Sequence, residues 1–418
     1  MIHVSSEIGT LKKVLVHRPD DGIDRISPKR AEELLFDDIV FLPKMREEHD
    51  TFTDVLRMFL GKENVYEVEN LLEEALVANE QLKNRLIDVI CQFEELPKRS
   101  RVLLKSLSNP VLKEVLISGY YEAEDIFVFD PIPNFLFTRD IAVTVNDHVI
   151  ITKAAKSARF RENYLTQFIF EAHPFFYELQ RDGKLINLND VELFPPSRRG
   201  ESVSAEGGDI MIINKDYLLI GCSERTTAHG IKLLKDVLFE KNVVKNVVQI
   251  NISKARSWMH IDTLFTHINN QHITAYKPLV IDGLASGVKV YRKDTDQVDS
   301  YTSVAAFIKA EINPDMEYVL SGNDEYPYDE REQWTDGCNL VALKPGVALT
   351  YDRNVKTAEA FRESGYKVMR AEDLLADFKA GKIEVDKVEN TIITLSSTEL
   401  SRARGGSHCM TCPLLRGE

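Results

Sequence analysis

Near the chain end, RARGGSHCMTCP at 402–413 holds the residues best suited to covalent chemistry. A thiolate attacks carbon and a neutral thiol scarcely does, so the charge around Cys409 matters. Arg402, Arg404 and His408 would supply positive charge that favours the thiolate. Gly405 and Gly406 carry no Cβ and admit close approach to a bound group. The same stretch also reads as a frayed tail, or as half a metal site built on Cys409 and Cys412. Against zinc, no second Cys-x-x-Cys or histidine cluster supplies the remaining ligands.

Three further polar clusters interrupt strand-like patterns: NFLFTRD at 134–140, EGGD at 206–209, and His260-Ile261-Asp262. Together with the cysteine they suggest one chemistry. Cys409 is the nucleophile, His260 carries protons, and Glu206 orients or charges the imidazole. Asp140 and Asp262 then hold something cationic, since two carboxylates with nothing between them repel. A guanidinium suits them because it is planar, has five N–H donors and pairs bidentately with carboxylates. The plainer reading stands beside this one: the aspartates also suit strand-end caps or ion pairs with Arg139, and His260 a structural role.

These clusters need elements to carry them. Residues 11–17 form a strand candidate closed by Arg18-Pro19, and Ser27-Pro28 predicts a helix start near Lys29. Phe41-Leu42-Pro43 interrupts an amphipathic run through His49 and Phe59, with His49 a solvated or helix-packing residue. Residues 68–119 carry Leu and Ile at helical spacing with few strand signals, so a small helical unit is expected there. Beyond Tyr120 hairpins alternate with helices. Strands flank Asn146-Asp147 and 214–216, with helices expected at 158–170, 226–239 and near Thr357. No GxGxxG follows a strand and no P-loop motif occurs, so a parallel Rossmann sheet fits poorly.

Composition narrows the classes. The 418 residues with 44% hydrophobic content can bury a substantial core in more than one unit. Five cysteines, odd in number and unevenly spaced, argue against a disulfide framework and for a reducing, cytoplasmic setting. No apolar run approaches eighteen residues, so no membrane span is expected. A formal net charge of −14 argues against nucleic acid as partner.

With these residues in view, the sequence resembles the bacterial arginine deiminases of the guanidine-modifying (pentein) superfamily. The matching motifs are PNFLFTRD at 133–140, EGGD at 206–209, ERTT at 224–227, MHIDTLFT at 259–266, REQWTDGCN at 331–339 and RARGGSHCMTCPL at 402–414. LLFDDIVF at 34–41 and EEHDTF at 47–52 extend the resemblance toward the start. It implies an α/β fold, a five-bladed α/β propeller with pseudo-fivefold symmetry. The catalytic domain would comprise 1–67 and 120–418, with 68–119 an inserted helical domain. It implies hydrolysis of L-arginine to L-citrulline and ammonia through a cysteine S-alkylthiouronium intermediate. Cys409 would attack the guanidinium carbon, His260 would move protons, Glu206 would pair with His260, and Asp140 and Asp262 would grip the guanidinium. Asn134, Arg159, Arg225 and Arg404 would meet the α-carboxylate, while Phe137 with Leu35 or Phe36 lines the aliphatic part. No cofactor or metal is implied, and a homo-oligomer of unspecified order is expected.

Some positions depart from the family pattern. KSARFRE lacks a doubled arginine and leaves Arg161 as a substitute for Arg159. Asp20-Asp21-Gly22 replaces Gly-x-Glu and is expected to alter the pocket's outer wall. Gly337-Cys338-Asn339 replaces Gly-Asn-Asn and puts a possible reactive thiol on a neighbouring loop. The alternatives are a related guanidine hydrolase acting on agmatine or methylated arginine, an amidinotransferase, a non-catalytic arginine-binding relative, and a cysteine protease.

Overall fold

The computed structural model describes residues 1–36, 38–284 and 286–417. Asp37, within the 34–41 motif, lies outside the described residues. Among the described residues the strands divide among six small sheets, and most of these are mixed. Four share one local plan. An antiparallel hairpin is followed by a chain excursion containing a helix, and a returning strand adds parallel to the hairpin's second strand. In the first of them Ala142–Val145 pairs with His148–Ile151, and Leu185–Asn187 adds parallel. Asn146 makes the tight connection with φ of 49°, a left-handed conformation that asparagine tolerates.

The largest sheet has five strands, in the order Val298–Tyr301, Val288–Arg292, Asn246–Asn251, Tyr217–Cys222 and Ile210–Asn214. Another sets Leu11–Val16 between Val65–Glu67 and Cys412–Arg416, so it joins the two ends of the chain. The expected five-bladed propeller with pseudo-fivefold symmetry is therefore corrected. The fold is α/β, but among the described residues its sheets hold two to five strands each, and none closes into a barrel or propeller. Helices and short turns intervene between sheets, and only isolated bridges such as Lys153 with Ala205 occur outside the strands.

Residues 68–118 form four helices, Val68–Ala78, Glu80–Phe93, Lys98–Ser106 and Asn109–Ser118. Their buried faces share one apolar cluster with Ile141, Val149, Leu165 and Leu414 of the surrounding chain. Other expectations move. No helix begins near Lys29, because 28–35 is a series of turns ending at Leu35, whose φ is 58°. Pro43 does not interrupt a helix but sits in the first turn of Leu42–Leu60, where a missing N–H costs nothing. His49 on that helix is fully buried, and burial pushes its imidazole down to about 3, so it packs as a neutral ring. Among the described residues, no helix is long and apolar enough to cross a membrane.

Candidate active site

Five side chains at one cavity come from strand starts in separate parts of the chain. Asp140 ends the 3₁₀ turn Thr138–Asp140, just before Ala142–Val145. Glu206 precedes the turn Gly207–Asp209 and the strand Ile210–Asn214. His260 precedes the turn Ile261–Thr263, which carries Asp262 and leads into Phe265–His267. Cys409 lies in the turn before Cys412–Arg416. A short turn before a strand leaves side chains free of the ladder and aims them past the sheet end. Glycine permits the crowding: a Cβ on Gly208 would lie 2.5 Å from His260 Nδ1, and one on Gly406 would lie 2.6 Å from the Asn339 carbonyl oxygen.

The cavity is narrow, with a free volume of about 30 Å³, and its lining includes Asp140, Arg159, Arg225, His260, Arg404 and Cys409. Asn134, Phe137 and Leu35 complete one wall, whereas Phe36 is buried in the core. Glu206 and Asp262 stand behind that lining. His260 Nε2 lies 3.0 Å from Glu206 Oε2, and its Nδ1 lies 3.9 Å from Asp140 Oδ1. Burial alone would lower the imidazole, but Asp140, Glu206 and Asp209 outweigh it and raise it to about 10. Burial would raise Glu206, yet the His260 hydrogen bond and Arg159 hold it well below the usual range. His260 is thus an imidazolium beside a carboxylate.

Cys409 has surroundings opposite to those expected. Its thiol donates to Asp262 Oδ2 at 3.5 Å. Burial, followed by the carboxylates of Asp262, Asp140 and Asp336, pushes the thiol well above its ordinary range. The nearby arginines do not reverse this: Arg402 pairs with Asp38 and Glu399, while Arg404 stacks its guanidinium 3.2 Å from the centre of the Trp334 ring. His408 bridges two acids, Asp262 Oδ2 at 2.9 Å and Glu7 Oε2 at 3.2 Å. The cysteine therefore rests as a neutral thiol.

Arg159 was expected to face a substrate carboxylate, and its guanidinium turns instead to protein acids. Nε donates to Glu162 at 2.7 Å, and Nη1 to Asp140 Oδ2 at 2.8 Å and Glu206 Oε2 at 3.3 Å. Arg161 does not substitute for it, since it donates to Glu94 and the Leu116 carbonyl and stacks on Phe129. Arg225 reaches toward Glu206 at 3.7 Å and lines the cavity. Asn134 lines it too, with its amide nitrogen committed to the Leu34 carbonyl at 2.7 Å.

Sequence reasoning missed Asn339, whose Oδ1 accepts from the Cys409 N–H at 3.1 Å while Nδ2 donates to the Asp262 carbonyl at 3.1 Å. It also missed Glu7 and the bridging place of His408. An asparagine two residues before the first residue of the strand Val341–Lys344 was the available signal. Cys338 is no reactive thiol, because burial pushes it up to about 12. Cys412 donates to the Ala142 carbonyl at 3.1 Å and is likewise pushed up to about 12 by burial. Asp20 and Asp21 line a different cavity, beside Arg18, Arg25 and Arg46. Asp140, Glu206 and His260 could in principle share a metal ion, their ligand atoms lying within 4.8 Å of one another. The Arg159 guanidinium already neutralises two of those carboxylates, so this donor set does not need one.

Comparison with known proteins finds relatives over nearly the whole chain. The family model described as arginine deiminase matches residues 32–122 and 102–416. The chain is 31% identical to the arginine deiminase of Listeria monocytogenes serovar 1/2a, covering 99% of this chain and 98% of that one. It is 32% identical to the arginine deiminase of Bacillus cereus, with 99% and 98% covered. Among solved structures it resembles SxtG, an amidinotransferase from Microseira wollei, with a TM-score of 0.54 at 13% identity over 99% and 97% of the two chains. The N-terminal domain of ArgZ, a cyanobacterial arginine dihydrolase, gives 0.52 at 13% identity over 97% and 98%. At that identity the structural likeness speaks to fold alone.

Proposed function

The chain belongs to the arginine deiminase family, hydrolytic enzymes that convert arginine to citrulline and ammonia, and on that premise we propose that Cys409 carries the reaction as a covalent nucleophile. The supporting observation is that Cys409, His260, Glu206, Asp140 and Asp262, from separate strand starts, meet around one cavity. The substrate brings the missing charge. A guanidinium between Asp140 and Asp262 offsets the carboxylates that hold the thiol neutral, and Asp262 Oδ2 is the acceptor for its proton. Sulfur then adds to the guanidinium carbon. His260, an imidazolium, gives its proton to the departing nitrogen, which leaves as ammonia and creates the S-alkylthiouronium. The neutral imidazole, steadied by Glu206, next takes a proton from water. The oxygen adds to the same carbon and the C–S bond breaks; the departing thiolate recovers its proton from Asp262, and the hydroxyl proton of the intermediate is lost to solvent, leaving citrulline.

Arg225 and Arg404 are the proposed partners of the α-carboxylate, with Asn134 and Phe137 along the aliphatic stem. The proposal places the protein in the cytoplasm as a homo-oligomer, with 68–119 an inserted helical unit in a catalytic domain of 1–67 and 120–418. The test is simultaneous release of citrulline and ammonia from L-arginine, with agmatine and a methylated arginine as competitors and Cys409→Ser as control. One-to-one catalytic products, lost in the variant, are expected. Products from wild type that persist in Cys409→Ser would sink the covalent assignment.

A further inference from the structure

The two oxygens of Asp262 are in different states. Oδ1 is buried and has no hydrogen-bond partner among the described residues. Oδ2 is doubly used: the Cys409 thiol donates to it at 3.5 Å, and His408 Nδ1 lies 2.9 Å away. The other His408 nitrogen, Nε2, lies 3.2 Å from Glu7 Oε2, and all four side chains are buried. A neutral imidazole has one N–H, so its bare nitrogen would face a carboxylate at hydrogen-bond distance. Both contacts are favourable only with a proton on each ring nitrogen. Glu7 is itself anchored, since Arg139 Nη2 reaches the same Oε2 at 3.5 Å and the Ile212 N–H donates to Oε1 at 3.4 Å. The Arg139 N–H in turn donates to the Cys409 carbonyl at 3.0 Å. An acid near the chain start therefore ties together, from behind, the turns that carry Asp140, Asp262 and Cys409.

We propose that His408, anchored on Glu7, is a positioning residue that fixes Asp262 by its Oδ2, leaves Oδ1 free for the substrate guanidinium and keeps that carboxylate charged. It acts through Asp262. Without it the carboxylate is free to turn and exchange its two oxygens, and the burial that favours its neutral form loses its first counterweight. The charges that remain around Asp262 do not replace it. His260 is committed to Glu206 and Arg139 to Glu7, while Asp140, Asp336 and the thiol are acids that favour a neutral Asp262. Asp262 then takes a proton at higher pH, and its grip on a cation fades as pH falls through that raised value. This inference deepens the arginine deiminase reading and rests on it.

The experiment is calorimetric titration in a Cys409→Ser background, where nothing turns over, at mildly alkaline and mildly acidic pH. The probes are L-arginine and L-citrulline, which shares the amino-acid end but carries no charge at the reacting end and so does not need Asp262 ionised. Asp209, Asp336 and Glu162, raised by burial to about 6, about 7 and about 7, titrate in the same window in every variant. The readout is therefore the acid-to-alkaline affinity ratio relative to protein that keeps His408. His408→Gln keeps a donor for Glu7 and loses the one for Asp262. It is expected to lose arginine affinity on acidification at least about tenfold more than the His408 protein, with citrulline unchanged. His408→Asn places its amide where Nδ1 stands and is expected to lose less; it also decides the matter if the glutamine variant fails to fold. An unchanged ratio for arginine in either folded variant would overturn the proposal. Equal weakening of arginine and citrulline at both pH values would overturn it as well, by reducing His408 to a packing role. Turnover of arginine by the wild type is measured separately, so failure of the deiminase reading is distinguishable from failure of this one.

Discussion

Gly208→Ala should disable the site from behind, without replacing a reacting group. An alanine Cβ there would stand 2.5 Å from His260 Nδ1, 2.8 Å from its Cγ and 3.0 Å from Asp262 Oδ1. Ordinary contact begins near 3.4 Å, so the imidazole must retreat by about 0.9 Å. It has little freedom to do so. Its other nitrogen is held 3.0 Å from Glu206 Oε2, and Glu206 is fixed by Arg159 and by the Ala155 N–H at 3.0 Å. A displacement of about 1 Å in a catalytic group costs about 10²-fold. That is about 2.7 kcal/mol in the barrier, while the overpacking itself costs about 1–3 kcal/mol of stability. The assay is steady-state citrulline formation at saturating arginine, with near-ultraviolet circular dichroism and urea unfolding to confirm a native fold. Gly287→Ala is the control, since its Cβ would meet only Asn251 Nδ2 at 3.8 Å. A folded Gly208→Ala enzyme with kcat within about threefold of wild type would refute the idea that His260 needs this exact lodging.

Other outcomes follow from the charges. Cys409 should be alkylated slowly by iodoacetamide at neutral pH, with the rate still climbing in alkaline buffer, because burial and three carboxylates hold the thiol above its ordinary range; a plateau at neutral pH, read by peptide mass mapping, would show a preformed thiolate. Glu7 and Asp262 are held low when folded, with burial outweighed mainly by Arg139 and His408 for Glu7 and by His408 for Asp262. Their stabilisation is present above the unfolded values, about 4.3 and 3.9, and is lost as pH falls through the lower folded values. His408→Ala should cost about 3–5 kcal/mol at neutral pH by stranding both acids, and the cost should shrink in acid; urea unfolding with no such difference would remove the bridge from the account. Arg225→Ala should raise KM for arginine while leaving agmatine turnover unaffected, and equal loss on both would end its carboxylate role.

Local chemistry was legible where the chain's own neighbours decide it. Asn146-Asp147 makes a hairpin because asparagine accepts the left-handed turn, and Thr227 starts the helix Ala228–Glu240 because its hydroxyl accepts the Gly230 N–H at 3.1 Å. The same local logic failed at Lys29, where Ser27-Pro28 looks like a helix start. Only scattered bonds such as Leu34 N–H to the Arg30 carbonyl form there, and the left-handed Leu35 ends the series.

Long-range electrostatics was not legible, and the cysteine shows why. Arg402, Arg404 and His408 are its neighbours in sequence, so a thiolate looked natural. In space Arg402 is spent on Asp38 and Glu399 and His408 lies between Asp262 and Glu7, while Asp140, Asp262 and Asp336 approach the thiol from segments more than seventy residues away. Arg159 repeats the lesson from the other side: its motif suggests a ligand for an anion outside the protein, but the protein's own carboxylates reach it first. A buried group of acids cannot stay ionised without cations. Arg159 and His260 supply them, and that balance leaves the thiol neutral. In the proposed mechanism, reactivity at Cys409 then depends on a third cation, the one group a guanidine substrate brings and most other electrophiles do not. On that mechanism, selectivity for guanidines follows from the charge deficit at the sulfur as much as from the shape of the cavity.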